Sequence, residues 1–502
     1  MIDYGAIFQG ALSTLSSPET VFLLIVGTLV GFVFGSLPGL TATMGVALFI
    51  PITYTMSAAN ALGMMLGCYI GGIAGGAISA VLLHIPGTPA SVCTTLDGYP
   101  LAQQGRGAEA LGWAAFASGW GSIVSWIILV TLAPVLASVC TSFSSPEYAA
   151  LALFGLTIIA AVSGKSIAKG LLAGFIGILI SCIGLDPVYG SARFTFGNIN
   201  LLSGIDTLPA IIGFFSIPEI LKSCTGKGNP QPLGITLKSF VPTVRKQLRH
   251  MINIVRSSII GTIVGIIPAT GSGIAAYIAY DQAKRFSRDP ESFGSGNIDG
   301  VIASEAANNG VCGGALIPML TLGIPGDSVT AVLVGGLMIH GLAPGPSLFV
   351  KNPDIIGAIF TAVLLASIVM VLLQLVGIRF FIKILSVPVS YLSGILAVLS
   401  LIGCFALRNN FFDVIVGLAL GGLGYLMVRG EYPLAPAVLG LVLGRMFESE
   451  VRRSLQMSQG SLSIFFTRPV ACAVIVVALI VIAGAFVKNL RKAKGADGKE
   501  QA

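Results

Sequence analysis

The chain has 502 residues, 55% of them hydrophobic and only 10% charged, too little polar surface to cover a water-soluble globule of this size. Apolar stretches long enough to cross a bilayer recur along the whole length, which excludes a single anchor carrying a soluble domain. The formal charge of +7 does not signal nucleic acid, because the basic residues cluster at the ends of apolar segments, where the positive-inside rule puts them.

In chain order, residues 1–20 carry no Lys or Arg and no small-residue cleavage site. No cleavable signal peptide is expected there, and the stretch reads as an N-terminal interfacial segment. Residues 21–221 form a first transmembrane repeat. Its opening segment, 21–56, is interrupted from Pro38 to Thr43 and reads as a re-entrant hairpin entering from outside. Five crossings follow, near 62–96, 111–139, 151–162, 167–185 and 208–221. The linker 222–255 carries Lys222, Lys227, Lys238, Arg245, Lys246 and Arg249 with no acid among them, which places it in the cytoplasm. Residues 256–447 form a second repeat. Arg256 precedes its opening segment and Lys284, Arg285 and Arg288 follow it, so both ends of 255–280 belong in the cytoplasm. That segment reads as the opposite hairpin, with its tip from Pro268 to Gly273; an ordinary broken span stays open as the alternative. Crossings near 302–345, 355–378, 387–407, 411–428 and 434–446 follow. A final segment, 448–487, contains the last crossing, and the basic tail 488–502 is again cytoplasmic. Arg452 and Arg453 then fall outside, against the rule.

The two repeats announce themselves by spacing. Gly31-x3-Gly35-x2-Pro38 recurs as Gly261-x3-Gly265-x2-Pro268, each followed by a small, hydroxyl-rich run. Gly75-Gly76-Ala77 leading to Ile85-Pro86-Gly87 recurs as Gly313-Gly314-Ala315 leading to Ile324-Pro325-Gly326. Internal duplication with opposite flanking charge points to inverted repeats. The expected fold is an all-α polytopic membrane protein of about 11–12 transmembrane helices in two inverted repeats, each with a re-entrant hairpin and a discontinuous helix.

Broken backbone at membrane depth is tolerated only where it is buried in protein or lines a water-filled cavity. The four breaks, Pro38 to Thr43, Pro86 to Ser91, Pro268 to Gly273 and Pro325 to Thr330, therefore mark a candidate site. Helices starting there offer unpaired N–H groups to an anion, and the opposite broken ends offer carbonyls to a cation. Glu305, with Asn308 and Asn309, and Asp327 are the intramembrane polar groups expected to coordinate a cation or couple a proton. A solvated interfacial position for Glu305 and a plain helix cap for Asp327 are the alternatives. Asp97 reads as a turn at the membrane edge. Asp327→Ala and Gly326→Leu are each expected to abolish activity without unfolding the chain. The eight cysteines are scattered without a Cys-x-x-Cys pair, and the three histidines form no His-Glu-x-x-His pattern, so neither a zinc site nor a metalloprotease is expected. Gly164-Lys165-Ser166 lacks the earlier glycine of a phosphate-binding loop, so no nucleotide site is expected.

Gly35-Ser36-Leu37-Pro38-Gly39-Leu40-Thr41, His84-Ile85-Pro86-Gly87-Thr88-Pro89 and Leu322-Gly323-Ile324-Pro325-Gly326-Asp327 resemble the large membrane subunit, TctA, of the tripartite tricarboxylate transporters, over nearly the whole chain. The resemblance implies a bacterial inner-membrane permease that imports a small carboxylate in symport with sodium. It also implies two partners, a small membrane subunit and a periplasmic solute-binding protein, and an elevator-like motion of hairpins and broken helices as a block against a scaffold. No cofactor beyond the coupling sodium ion is implied, and membrane lipid is the surrounding partner. Carried over residue by residue, the substrate site is Pro38, Gly39, Thr41, Thr43, Pro86, Gly87, Thr88 and Ser91 from one repeat. The other repeat gives Pro268, Thr270, Ser272, Asn308, Asn309, Pro325, Gly326, Asp327 and Ser328, with Glu305 and Asp327 as cation or proton ligands. A channel and a membrane-embedded enzyme, with Asp97, Glu305 and Asp327 as acids or bases, are the rival readings.

Overall fold

The structure, a computed structural model, describes residues 2–37, 40–88, 91–162, 166–186, 189–225, 241–268, 271–385, 389–406 and 408–480. Pro38, Gly39, Thr270, Gly164, Lys165, residues 226–240 of the basic linker and the tail lie outside the described residues. The first six helices are α1 (Tyr4–Ser16), α2 (Pro18–Ser36), α3 (Ala42–Thr53), α4 (Ala58–Leu83), α5 (Val92–Gln103) and α6 (Gly107–Cys140). Then come α7 (Ser145–Val162), α8 (Ile167–Ser181), the strands β1 (Gly184–Leu185) and β2 (Ala192–Arg193), α9 (Thr207–Ile211) and α10 (Ile217–Thr225). Further on lie α11 (Val244–Ile266), α12 (Gly271–Arg285), α13 (Ile298–Leu322), α14 (Ser328–Ile339), α15 (Pro346–Lys351) and α16 (Pro353–Leu385). The last helices are α17 (Val389–Ala406), α18 (Phe411–Arg429), α19 (Leu434–Met457) and α20 (Ile464–Thr467). Among the described residues, α2, α4, α6, α16 and α18 are long and apolar enough to cross a membrane.

The chain divides into two compact units, each assembled from two segments. The first comprises Met1–Ser138 and Phe215–Asn410 and contains all four breaks. Its frame is a pair of backbone-to-backbone helix contacts. A Cβ added at Gly31 of α2 would lie 2.1 Å from the Cys68 carbonyl oxygen of α4, and one at Gly261 of α11 would lie 2.2 Å from the Ala307 carbonyl oxygen of α13. Small residues at such spacing let helices approach until main chain touches main chain, the usual way helices associate where no hydrophobic force acts between them.

The matched motifs make matched contacts. Gly35 meets Gly72 and Gly265 meets Val311; Gly71 meets Thr28 and Gly310 meets Ser258; Gly75 meets Phe32 and Gly314 meets Thr262. One offset, 28 to 258 and 31 to 261, relates α2 to α11, and another, 68 to 307 and 75 to 314, relates α4 to α13. The contacts thus pair Gly75 with Gly314, not with Gly313 as the sequence run suggests. Gly313 instead faces Ser125 of α6.

Each pair is completed by a helix folded back over the first break. In the first copy a Cβ at Gly45 of α3 would lie 3.4 Å from the Phe34 ring of α2, so the chain reverses between them. In the second, Val264 of α11 packs in one buried cluster with Ala275 and Ala279 of α12 and Ala307 and Val311 of α13.

Where α4 and α13 touch, they run antiparallel. The Tyr69 hydroxyl lies beside Cys312, while the Asn308 amide reaches the Ile73 carbonyl at 3.4 Å. Position 69 corresponds to 308 and position 73 to 312, so the same pair of positions meets twice with the partners exchanged. Such an isologous contact is the mark of a local two-fold relation.

The second unit comprises Val139–Phe214 and Phe411–Ala502. Here α19 packs on α7 and α8, and a Cβ at Gly177 would lie 1.9 Å from the Ala437 carbonyl oxygen. The arginines at odds with the charge rule are paired: Arg452 reaches Asp186 at 2.8 Å and Glu448 at 3.0 Å, and Arg453 reaches Glu450 at 3.0 Å.

Candidate functional site

In each copy the proline-glycine break after the long helix packs against the glycine that precedes the hairpin tip. A Cβ on Gly87 would lie 2.1 Å from the Gly35 carbonyl oxygen, and one on Gly326 would lie 2.7 Å from that of Gly265 and 2.5 Å from the Ala315 Cα. Both breaks of a copy therefore share one place, and only glycine fits there. Gly326→Leu is for that reason no test of ligand handling: its side chain has nowhere to go but into backbone, and the expectation that it spares the fold is corrected.

The helices beyond these breaks start alike. Asp327 caps α14: its backbone N–H donates to Thr330 Oγ1 at 2.8 Å, and its Oδ1 accepts from the Thr330 N–H at 2.7 Å. In the first copy the Thr88 N–H donates to Ser91 Oγ at 3.2 Å, and that hydroxyl donates back to the Thr88 carbonyl at 2.9 Å. Asp327 thus stands where the first copy has Thr88, and it is more than a cap. Its second oxygen, Oδ2, accepts from the Tyr69 hydroxyl at 2.7 Å, tying the break of one copy to the long helix of the other.

The hairpin tips are built from Thr41, whose hydroxyl accepts from the Met44 N–H at 3.2 Å and caps α3, buried Thr43 and Pro268, and half-buried Ser272. Gly271 opens α12 with φ +73, a conformation that favours glycine. Pro86 and Ser328 are half-buried and Pro325 is buried.

Glu305 is fully buried in α13, which excludes the solvated interfacial position. Thr94 of α5 donates to its Oε1 and Ser118 of α6 to its Oε2, the latter at 3.1 Å. One turn further on, Asn309 donates to Ser122 Oγ at 3.2 Å. The Oδ1 oxygens of Asn308 and Asn309 are both buried without a hydrogen-bond partner. Two orphaned acceptors beside a buried carboxylate form a cluster rich in oxygen and short of donors, which a hard cation or a proton would complete. Among the described residues there is no group of three or more His, Cys, Asp and Glu that could hold a metal ion, so the amide and hydroxyl oxygens are the ones available.

The positions that match Glu305 and Thr94 in the opposite copy are Leu66 of the first and Leu333 of the second, both buried. The matching places of the two copies thus hold an apolar pair in one case and a polar pair in the other.

Asp97 lies inside α5, not in a turn, and is fully buried. Its Oδ1 accepts from the N–H groups of Gly294, Gly296 and Asn297 at 2.8 to 2.9 Å, and its Oδ2 accepts from the Tyr280 hydroxyl at 2.8 Å. The carboxylate satisfies a distant loop's amides instead of its own backbone, which is why a turn-like sequence remains helical. Tyr69, Thr94, Ser118 and Ser122 are the site residues that sequence reasoning missed; each is an ordinary residue within an apolar helix.

The profile of the tripartite tricarboxylate transporter TctA family matches residues 21–439. The chain belongs to this family. It is similar to an uncharacterised 52.8 kDa protein in the TAR-I ttuC' 3' region of Agrobacterium vitis, 33% identical over 492 residues and covering 98% of both chains. An uncharacterised protein in the TAR-II ttuC' 3' region of the same organism is 33% identical over 231 residues, 46% of this chain and 96% of its own. No solved structure matches. Membership in the TctA family and the apolar helices make the chain a multi-pass membrane subunit of a tripartite tricarboxylate transporter.

Proposed function

We propose that this TctA-family chain is a secondary active permease subunit that imports a small organic anion, a tricarboxylate or similar carboxylate, across the bacterial inner membrane, driven by sodium. A small membrane subunit and a periplasmic solute-binding protein complete the transporter. The observation that carries this reading is that buried carboxylates of the second copy are bonded to hydroxyls of the first, Glu305 to Thr94 and Asp327 to Tyr69, with unpartnered Asn308 and Asn309 oxygens on the same helix as Glu305. In this reading the Glu305 cluster takes the coupling cation. The substrate carboxylates lie at the breaks, against Thr41, Thr43, Thr88, Ser91, Ser272 and Ser328 and the backbone that follows Pro86 and Pro325. No Lys or Arg stands in these breaks, so helix N-termini, hydroxyls and the bound cation balance the negative charge.

Antiparallel contact of α4 and α13 supports inverted repeats, because a two-fold relation between two membrane-crossing helices running in opposite directions has its axis in the membrane plane. The four breaks ride in one compact unit, as an elevator-like step requires.

The test is uptake of labelled citrate by cells carrying the chain with its partner subunits. Saturable uptake that follows a sodium gradient, and falls to background in Asp327→Ala with the protein still in the membrane, is expected. Flux that rises linearly with citrate and ignores every ion gradient would mean a channel, and wild-type rates in Asp327→Ala would remove the site.

A further inference from the structure

Two matched copies offer two matched places for a cation, one on each long helix, and the side chains at each decide how many are used. On α13 the place holds Glu305, Asn308 and Asn309, all fully buried. Both amide Oδ1 atoms lack a hydrogen-bond partner, and Thr94 of α5 donates to Glu305 Oε1. The glycine contacts carry residue 68 to 307 and 75 to 314, an offset of 239, so the matching residues on α4 are Leu66, Tyr69 and Ile70. Thr94 is matched by Leu333 of α14. All four are buried, and none of them leaves a buried oxygen without a partner.

A hard cation must exchange its hydration shell for protein oxygens. On α13 a carboxylate supplies charge and two amide oxygens stand already stripped of partners, so an entering ion breaks no hydrogen bond at those oxygens. On α4 leucine and isoleucine supply no oxygen, and the one hydroxyl, that of Tyr69, donates to Asp327 Oδ2 at 2.7 Å. The other Asp327 oxygen accepts from the Thr330 N–H at 2.7 Å and the Thr330 hydroxyl at 2.8 Å. Tyr69 matches Asn308, and Asp327 matches Thr88. The position that leaves a bare oxygen in one copy thus carries, in the other, a hydroxyl whose hydrogen already meets a carboxylate.

We propose that the two copies together bind one coupling cation and not two: the α13 place takes it, and the Tyr69 hydroxyl bonded to Asp327 fills the matching place for good. This rests on the reading that the Glu305 cluster takes the coupling cation. Asp327 is then no cation ligand; it positions α14 through Thr330 and ties it to α4 through Tyr69. The test counts ions. Radiolabelled sodium is titrated into the purified full-length chain in neutral detergent, with and without citrate, and equilibrium dialysis reads the number bound per chain and the Hill coefficient. One ion per chain with a Hill coefficient of one is expected. Glu305→Gln removes the charge with little change of shape and should weaken binding about tenfold or more. Asp327→Asn keeps an oxygen for the helix cap and should still bind one ion, whatever its effect on uptake. Two ions per wild-type chain, or a folded Asp327→Asn chain that no longer binds sodium, would overturn the proposal while leaving the Glu305 reading in place. A wild-type chain that binds no sodium, or binding indifferent to Glu305→Gln, would remove that reading itself.

Discussion

His84 closes α4 in a left-handed conformation, φ +56, where the second copy uses Gly323 at φ +72. The backbone demands that conformation at both ends, and glycine meets it without strain. His84→Gly is expected to leave the unfolding midpoint unchanged or higher, and His84→Val to cost about 1–2 kcal/mol, because a β-branched residue fits the left-handed region worst; equal midpoints for the two variants would refute the strain. Glu305 and Thr94 offer the complementary comparison. Leu66 and Leu333 occupy the matching buried positions, so Glu305→Leu with Thr94→Leu should fold at least as stably as wild type while losing ion-dependent uptake. Replacing a buried polar pair by apolar residues is often neutral or stabilising, by about 1–4 kcal/mol. A double variant that still responds to the sodium gradient would show that coupling lies elsewhere.

At the scale of elements, the pairing of α2 with α4 and of α11 with α13 rests on main-chain contact at Gly31 and Gly261, and any side chain there must push two helices apart. Gly31→Ala and Gly261→Ala should each cost roughly 3 kcal/mol or more, seen as lost membrane-inserted protein or a lowered unfolding midpoint. A similar loss in the two copies is expected, since the contacts match; tolerance in one alone would break the equivalence. These elements were legible in the sequence because glycine and proline spacing encodes close approach and chain reversal directly. The partners of Glu305 and Asp327 were not. Thr94, Ser118 and Tyr69 lie 211, 187 and 258 residues away in the chain, and nothing local distinguishes a hydroxyl facing a carboxylate from one bonded to its own helix. Asp97 was misread for the same reason: its turn-like neighbours are local, while the amides it satisfies lie near residue 297. The glycine pair before the second Ile-Pro-Gly slipped by one residue because adjacent glycines are indistinguishable until the helix against each is known.

For the whole molecule, the decisive question is whether the two copies face opposite sides of the bilayer. The connection from α3 to α4 and the one from α12 to α13 are equivalent in the two copies, and inversion puts the first outside and the second in the cytoplasm. Ser57 caps α4 in the first connection, and Ser292 lies in the second. With Cys224 and the two partly exposed cysteines among those described, Cys182 and Cys472, replaced by serine, Ser57→Cys should react with a membrane-impermeant maleimide in intact spheroplasts. Ser292→Cys should react only after permeabilisation. Labelling of both from the same side would sink the inversion, because parallel copies place equivalent connections together. A two-fold axis along the membrane normal keeps equivalent helices parallel, and α4 and α13 could then not bring Tyr69 to Cys312 and Asn308 to Ile73 in opposite directions along their lengths.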